Sequence, residues 1–166
     1  MQKLASRFIA ICVAFALAGG VAALVGCSDE EEINAETVDT TQTVQTTAGA
    51  YQVIDAAAVE ALDDSAVLVD VRTPEEYEAG HIPGALNASY PSSSGGPCGA
   101  DGDAETFRAN WAELDIPLDA HVVLYCRTGV RASAAANALI EDGYEDVDVY
   151  EGSWTDWTSD ASRAIE

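Results

Sequence analysis

Two near-continuous apolar runs, Val67-Leu-Val-Asp-Val71 and His121-Val-Val-Leu-Tyr125, constrain this chain more than any other feature. A strand with one wet face alternates apolar and polar residues. A run that is apolar at almost every position must be covered on both faces, as strands of a parallel sheet between helices are. Each run leads within a few residues into a helix start. Thr73 is an N-cap candidate with Pro74 at the first helical position and Glu75 and Glu76 in the first turn, and this helix ends near Gly80. After Tyr125 a short loop leads into an Ala-rich helix from Val130 to Asp142, stopped by Gly143.

The remaining segments continue the alternation. Tyr51–Ile54 is a short strand, Asp55 caps a helix to about Leu62, and Ala85–Asn87 is another short strand. Pro91 to Asp103 is a loop by its Ser, Gly and Pro content, Ala104 to Leu114 a helix, and Val147–Tyr150 a last strand. Strands alternating with helices, without an internal repeat, predict an α/β fold of one domain with a central parallel sheet flanked by helices. The apolar fraction of 48% is too high for a disordered acidic tail. The formal charge of −22 excludes nucleic acid and an anionic membrane surface as partners of the folded part, because both would be repelled.

The chemistry is expected where the second run ends, at Cys126-Arg127-Thr128-Gly129-Val130-Arg131. Ligands of open parallel sheets bind at the carboxyl ends of strands. A tight loop with Gly129 free to adopt positive φ converges its backbone N–H groups, and the helix N-terminus adds its positive end. Such a site binds an anion and stabilises a cysteine thiolate. Beyond the first 26 residues the chain has five cationic side chains, Arg72, Arg108, Arg127, Arg131 and Arg163, and two of them lie in this loop. The plainer alternative for Cys126 is a small buried hydrophobe at a strand end.

Leu68-Val-Asp-Val-Arg72, Glu75-Glu-Tyr77 and Gly80-His-Ile-Pro-Gly-Ala85, together with Cys126-Arg-Thr-Gly-Val-Arg131, resemble the rhodanese domain family in order and spacing, from about Tyr51 to Trp157. The resemblance implies a single rhodanese-like domain that moves sulfane sulfur through a persulfide on Cys126, with no cofactor. It implies a small anionic donor, thiosulfate or a polysulfide, and a thiol, cyanide or protein acceptor. Arg131 best matches the position that contacts the anionic donor. Arg127 is a second contact or a solvent-facing side chain, and Thr128, Gly129 and Val130 complete the substrate loop. Asp70 and Arg72 match residues that support the active loop, and His81 matches a structural turn. Trp154, after Glu151-Gly-Ser, either walls the pocket or packs in the core with Trp157. His121 matches no catalytic position.

Competing readings fit less well. Cys98, Cys126, His81 and His121 have no recognised zinc-ligand spacing, so no metal is expected. Cysteine phosphatases also cradle a thiolate between strand and helix. Their loop resembles Cys-x5-Arg, whereas here four residues separate Cys126 from Arg131 and Tyr125 precedes the cysteine. Cys98, in the Pro91–Asp103 loop, is either an incidental exposed thiol or a redox partner that resolves or protects Cys126. Two function classes remain open, a sulfurtransferase with turnover and a sulfur carrier that serves a protein partner.

The N-terminus reads as an address. Lys3 and Arg7 precede an uncharged run from Phe8 to Val25, the charged and apolar regions of an export signal. Leu24-Val-Gly-Cys27 resembles the bacterial lipobox, which implies cleavage after residue 26 and lipidation of Cys27. Two or more acyl chains hold a protein stably on a membrane, so the expected localisation is a lipid anchor on the extracytoplasmic face. Residues 27–50, acidic and then Thr/Gln-rich, read as a tether, and 51–166 as the domain. Removal of residues 1–26 takes away Lys3 and Arg7 and no acid, leaving 5 cations against 29 anions, a formal −24. An anionic donor then enters against a repulsive field. Its kcat/KM is expected to rise with added salt, and a rate independent of ionic strength would contradict this field.

Overall fold

A computed structural model describes residues 41–92 and 102–166. The first surprise lies before the expected domain. β1 (Gln42–Gln45) pairs antiparallel with β2 (Ala50–Ile54) around a turn closed by the Thr46 N–H on the Gly49 carbonyl at 2.8 Å. The expected tether through residue 50 is therefore corrected at its distal end, since Gln42–Gln45 belongs to the sheet. These residues are largely exposed and polar, and backbone pairing to an edge needs no apolar side-chain pattern.

The rest follows the alternation. α1 (Ala56–Glu60) is capped by the Asp55 side chain, which accepts from the Ala58 N–H at 2.9 Å. β3 (Val67–Asp70) leads to α2 (Pro74–Glu78), where Thr73 and Glu76 form a reciprocal capping box. A two-residue strand, β4 (Leu86–Asn87), is followed by α3 (Ala104–Ala112), capped by Asp103. Then come β5 (Val122–Tyr125), α4 (Val130–Glu141), β6 (Val147–Tyr150) and α5 (Ser153–Trp157). The sheet order is β1-β2-β6-β5-β3-β4, and every pair except β1–β2 is parallel.

β5 lies inside the sheet, and all four of its residues are buried, as its continuous apolar run requires. Its side chains alternate between two cores. Val122 and Leu124 pack with Phe107 and Trp111 of α3 and Leu139 of α4, and Cys126 belongs to the same cluster. Val123 and Tyr125 pack with Val59 of α1, Tyr150 and Trp157 on the other face. Ala132, Ala135 and Ala136 are fully buried on α4, so the helix backbone comes close to the sheet through small side chains. Between α3 and the segment after α4, the Trp111 indole N–H donates to the Tyr144 hydroxyl at 2.8 Å, which donates to the Ile116 carbonyl at 2.7 Å.

Leu139 is fully enclosed. Leu139→Ala is expected to cost about 2–5 kcal/mol, read as a fall in the urea midpoint, because the rigid sheet behind it limits collapse of the cavity.

Candidate active site

Cys126 follows β5 directly, at the carboxyl end of the sheet, and is 1% exposed. Its main chain is held from α5. The Cys126 N–H donates to the Ser153 hydroxyl oxygen at 3.2 Å, and that hydroxyl donates to the Tyr150 carbonyl at 2.8 Å. The Trp154 N–H donates to the Cys126 carbonyl at 3.0 Å, and the Thr155 N–H and hydroxyl donate to the Arg127 carbonyl at 3.1 and 2.9 Å. Ser153 is fully buried and sits at φ +54°, a left-handed conformation unusual for a residue with a Cβ. The strain is located where the side chain ties β6 to the cysteine loop. Sequence reasoning passed over Ser153. Its only signal was position: Gly152-Ser153 joins β6 to α5 as the cysteine loop joins β5 to α4.

Gly129 has φ +88°, and a Cβ there would lie 2.7 Å from the Glu151 carbonyl oxygen. The expected conformational role of this glycine is thus met, and close approach of a second loop adds to it. Thr128 and Val130 are exposed at the loop surface.

The two loop arginines differ in surroundings. Arg131, on the first turn of α4, is 1% exposed, and its Nη1 and Nη2 donate to the Glu76 carboxylate at 2.9 and 3.2 Å. Its Nε is buried without a hydrogen-bond partner. Burial works against the Arg131 charge, but the Glu76 bonds and charge outweigh it, with the Cys126 and Asp70 charges adding, and the pKa is raised. Burial likewise works against the Glu76 carboxylate. The Arg131 bonds, the Thr73 N–H and the Arg131 and Arg72 charges overcome it, so its pKa is lowered. Arg127 is exposed, and it is the one arginine among the described residues with no ion pair. Arg131 was expected as the main donor contact. Its guanidinium is clasped by Glu76, a residue sequence reasoning saw only as a helix-start acid.

Asp70 and Arg72, expected to support the active loop, form a buried ion pair. Arg72 Nε and Nη2 donate to Asp70 between 2.6 and 3.0 Å, Nη2 also reaches the Gly80 carbonyl at 2.6 Å, and both residues are buried. Burial pushes the Asp70 carboxyl up, and the Arg72 bonds offset this in part. The Trp154 ring lies 4.3 Å from the Arg72 guanidinium carbon. With Arg72, Glu76, Gly80 and Arg127, Trp154 lines a cavity of about 450 Å³ beside the cysteine loop and also packs against the core, in which Trp157 is buried. A larger cavity of about 570 Å³ contains none of the loop residues.

His81 stacks on the Tyr77 ring at 3.8 Å between centroids, and its Nδ1 lies 3.1 Å from the Tyr77 carbonyl, a structural placement. His121 stands at the opposite end of β5 from Cys126, with Nε2 2.9 Å from Asp148, so the two cannot share an ion. His121, Asp146 and Asp148 bring three groups of metal-ligating type together at that far end. Cys98, Cys27 and the export segment lie outside the described residues.

The family model of the rhodanese-like domain matches residues 55–160. The chain belongs to the rhodanese-like domain family. It is 31% identical over 114 residues to a thiosulfate sulfurtransferase of Pseudoalteromonas translucida, covering 67% of this chain and 91% of that protein. It is 35% identical over 116 residues to a sulfur carrier protein of Thermus thermophilus, covering 60% of this chain and 40% of that one. Among solved structures, an anaerobic ergothioneine biosynthesis enzyme from Chlorobium limicola aligns with a TM-score of 0.58 at 26% identity, over 69% of this chain and 31% of that one. The chain thus spans about two fifths of the carrier relative and about a third of that enzyme.

Gly129→Ala should force a Cβ into a left-handed position against Glu151. The expected loss is about 1–3 kcal/mol of stability, read by thermal melting, together with loss of Cys126 reactivity.

Proposed function

We propose that this rhodanese-like domain is a sulfurtransferase that carries sulfane sulfur on Cys126. One juxtaposition supports the reading most: the single arginine without an ion pair among the described residues, Arg127, adjoins a cysteine whose main chain is fixed by two bonds from α5. The Cys126 N–H is committed to Ser153, so thiolate stabilisation falls to the N–H groups further along the loop and to the α4 N-terminus.

The chemistry balances with this chain's own residues. The Cys126 thiolate attacks the outer sulfur of a donor such as thiosulfate, an S–S bond forms, and the donor's own S–S bond breaks. Sulfite leaves with the electron pair. The outer sulfur of the resulting persulfide is then attacked by an acceptor, cyanide or a thiolate, which takes it and returns the Cys126 thiolate. Arg127 draws the anionic donor in, and Trp154, packed on Arg72, walls the approach. No cofactor or metal has a part in these steps.

The setting belongs to the same proposal. Lys3, Arg7, the apolar run and Leu24–Cys27 support export, lipidation at Cys27 and an extracytoplasmic membrane anchor. In that oxidising milieu Cys98 is a candidate redox partner of Cys126. The likeness to a sulfur carrier protein supports a second reading, in which the persulfide passes to a protein with little turnover on small donors.

Thiocyanate formation from thiosulfate and cyanide decides between them. The protein is expected to turn over, Cys126→Ser to be inactive, and Arg127→Ala to raise the thiosulfate KM about ten-fold with little change in kcat. A wild-type protein that forms no thiocyanate yet acquires a +32 Da adduct on Cys126 from a persulfide source would support the carrier and reject the small-donor enzyme.

A further inference from the structure

The cysteine loop holds two arginines, and the structure removes one of them from the charge that a donor meets. Arg131 is enclosed, and both of its terminal nitrogens are spent on Glu76, which also accepts from the Thr73 N–H at 3.2 Å. The carboxylate is therefore fixed from two sides, by the guanidinium and by the start of α2. Arg72 is likewise neutralised, by Asp70. Of the ionised groups lining the cavity or clasped to one that does, Arg72 with Asp70 and Arg131 with Glu76 sum to zero, and Arg127 leaves one positive charge. His81 is turned away, toward the Tyr77 carbonyl and Glu166.

We propose that Glu76 is a positioning residue which, by clasping and neutralising Arg131, matches the site to a donor with one negative charge rather than two. The inference rests on the sulfurtransferase reading and names its substrate class: a monoanionic sulfane, such as a hydropersulfide anion or a thiosulfonate, in preference to dianionic thiosulfate. A second negative charge would face the acidic surface with Arg127 already occupied, and the further cations, Arg72 and Arg131, are each held by a carboxylate in a fork geometry that a small anion cannot displace. The buried Nε of Arg131, without a hydrogen-bond partner, marks the cost of this arrangement.

Glu76→Gln removes the charge while keeping a side chain that serves the capping box. Glu76→Asp keeps the charge but withdraws the carboxylate from Arg131 by one methylene. Two readouts are compared with wild type. The first is the ratio of kcat/KM for thiosulfate to that for methanethiosulfonate, its counterpart with one charge fewer. The second does not depend on sulfur transfer: the ratio of Cys126 alkylation rates with anionic iodoacetate and neutral iodoacetamide, measured on the Cys126 peptide by mass spectrometry. Glu76→Gln should raise both ratios about three- to ten-fold, and Glu76→Asp should move them the same way by less. A merely structural Glu76 would slow both members of each pair alike, and unchanged ratios in both variants would overturn the proposal. If Glu76→Gln does not fold, Glu76→Asp is judged by the same criterion. If wild type shows no turnover with either donor, the sulfurtransferase reading fails, while the alkylation ratio still decides the role of Glu76.

Discussion

The rest of the site depends on how the end of β5 is closed. A central strand buried on both faces delivers its next residue, Cys126, into the interior, where every backbone group needs a partner. The partners come from α5, which sits after the neighbouring strand β6 and presents the Ser153 hydroxyl and the Trp154 and Thr155 N–H groups. This exchange fixes the cysteine main chain without using the side chain. It also ties the loop to β6 through the Tyr150 carbonyl. The positive φ of Ser153 is the local strain this closure contains, and it is tolerated because two good hydrogen bonds and full burial determine the residue from several sides.

Charge is distributed around that closure with economy. In a strongly acidic chain, four of the five arginines among the described residues are matched to carboxylates. The pairs differ in purpose. Arg108 with Glu141 and Asp142 is a partly exposed surface contact, of a kind that contributes about 0–1 kcal/mol. Arg72–Asp70 is buried, joins the carbonyl of Gly80 to the end of β3, and supports the Trp154 ring. Removing one partner of such a pair leaves an uncompensated buried charge, which makes it a fixed element of the site rather than an adjustable one. The exception, Arg127, is exposed and lines the cavity beside the loop.

Much of this was legible in the chain. Continuous apolar runs located β3 and β5, Asp55 and Thr73 marked helix starts that both form side-chain caps, and Gly129 marked the tight turn. Such features are local, and a local signal survives without knowledge of the partner. Edge strand β1 was not legible, because pairing through backbone groups leaves no pattern in Gln42–Gln45. The clasp on Arg131 was not legible either. Motif position says that an arginine stands beside the cysteine, but not that a carboxylate 55 residues earlier in the chain occupies it.

By itself the sequence determined the strand–helix alternation, the parallel sheet, the place of the cysteine loop at a strand's carboxyl end and the family resemblance. These follow from short-range patterning of burial, caps and turns. Tertiary structure alone decided which loop arginine is free, which side chain closes the cysteine main chain, and which tryptophan walls the cavity. Each of those is settled by contacts between elements far apart in the chain, Glu76 with Arg131, Ser153 with Cys126 and Trp154 with Arg72. Burial turns such contacts into obligations, because a polar group removed from water must find its partner wherever the fold brings one.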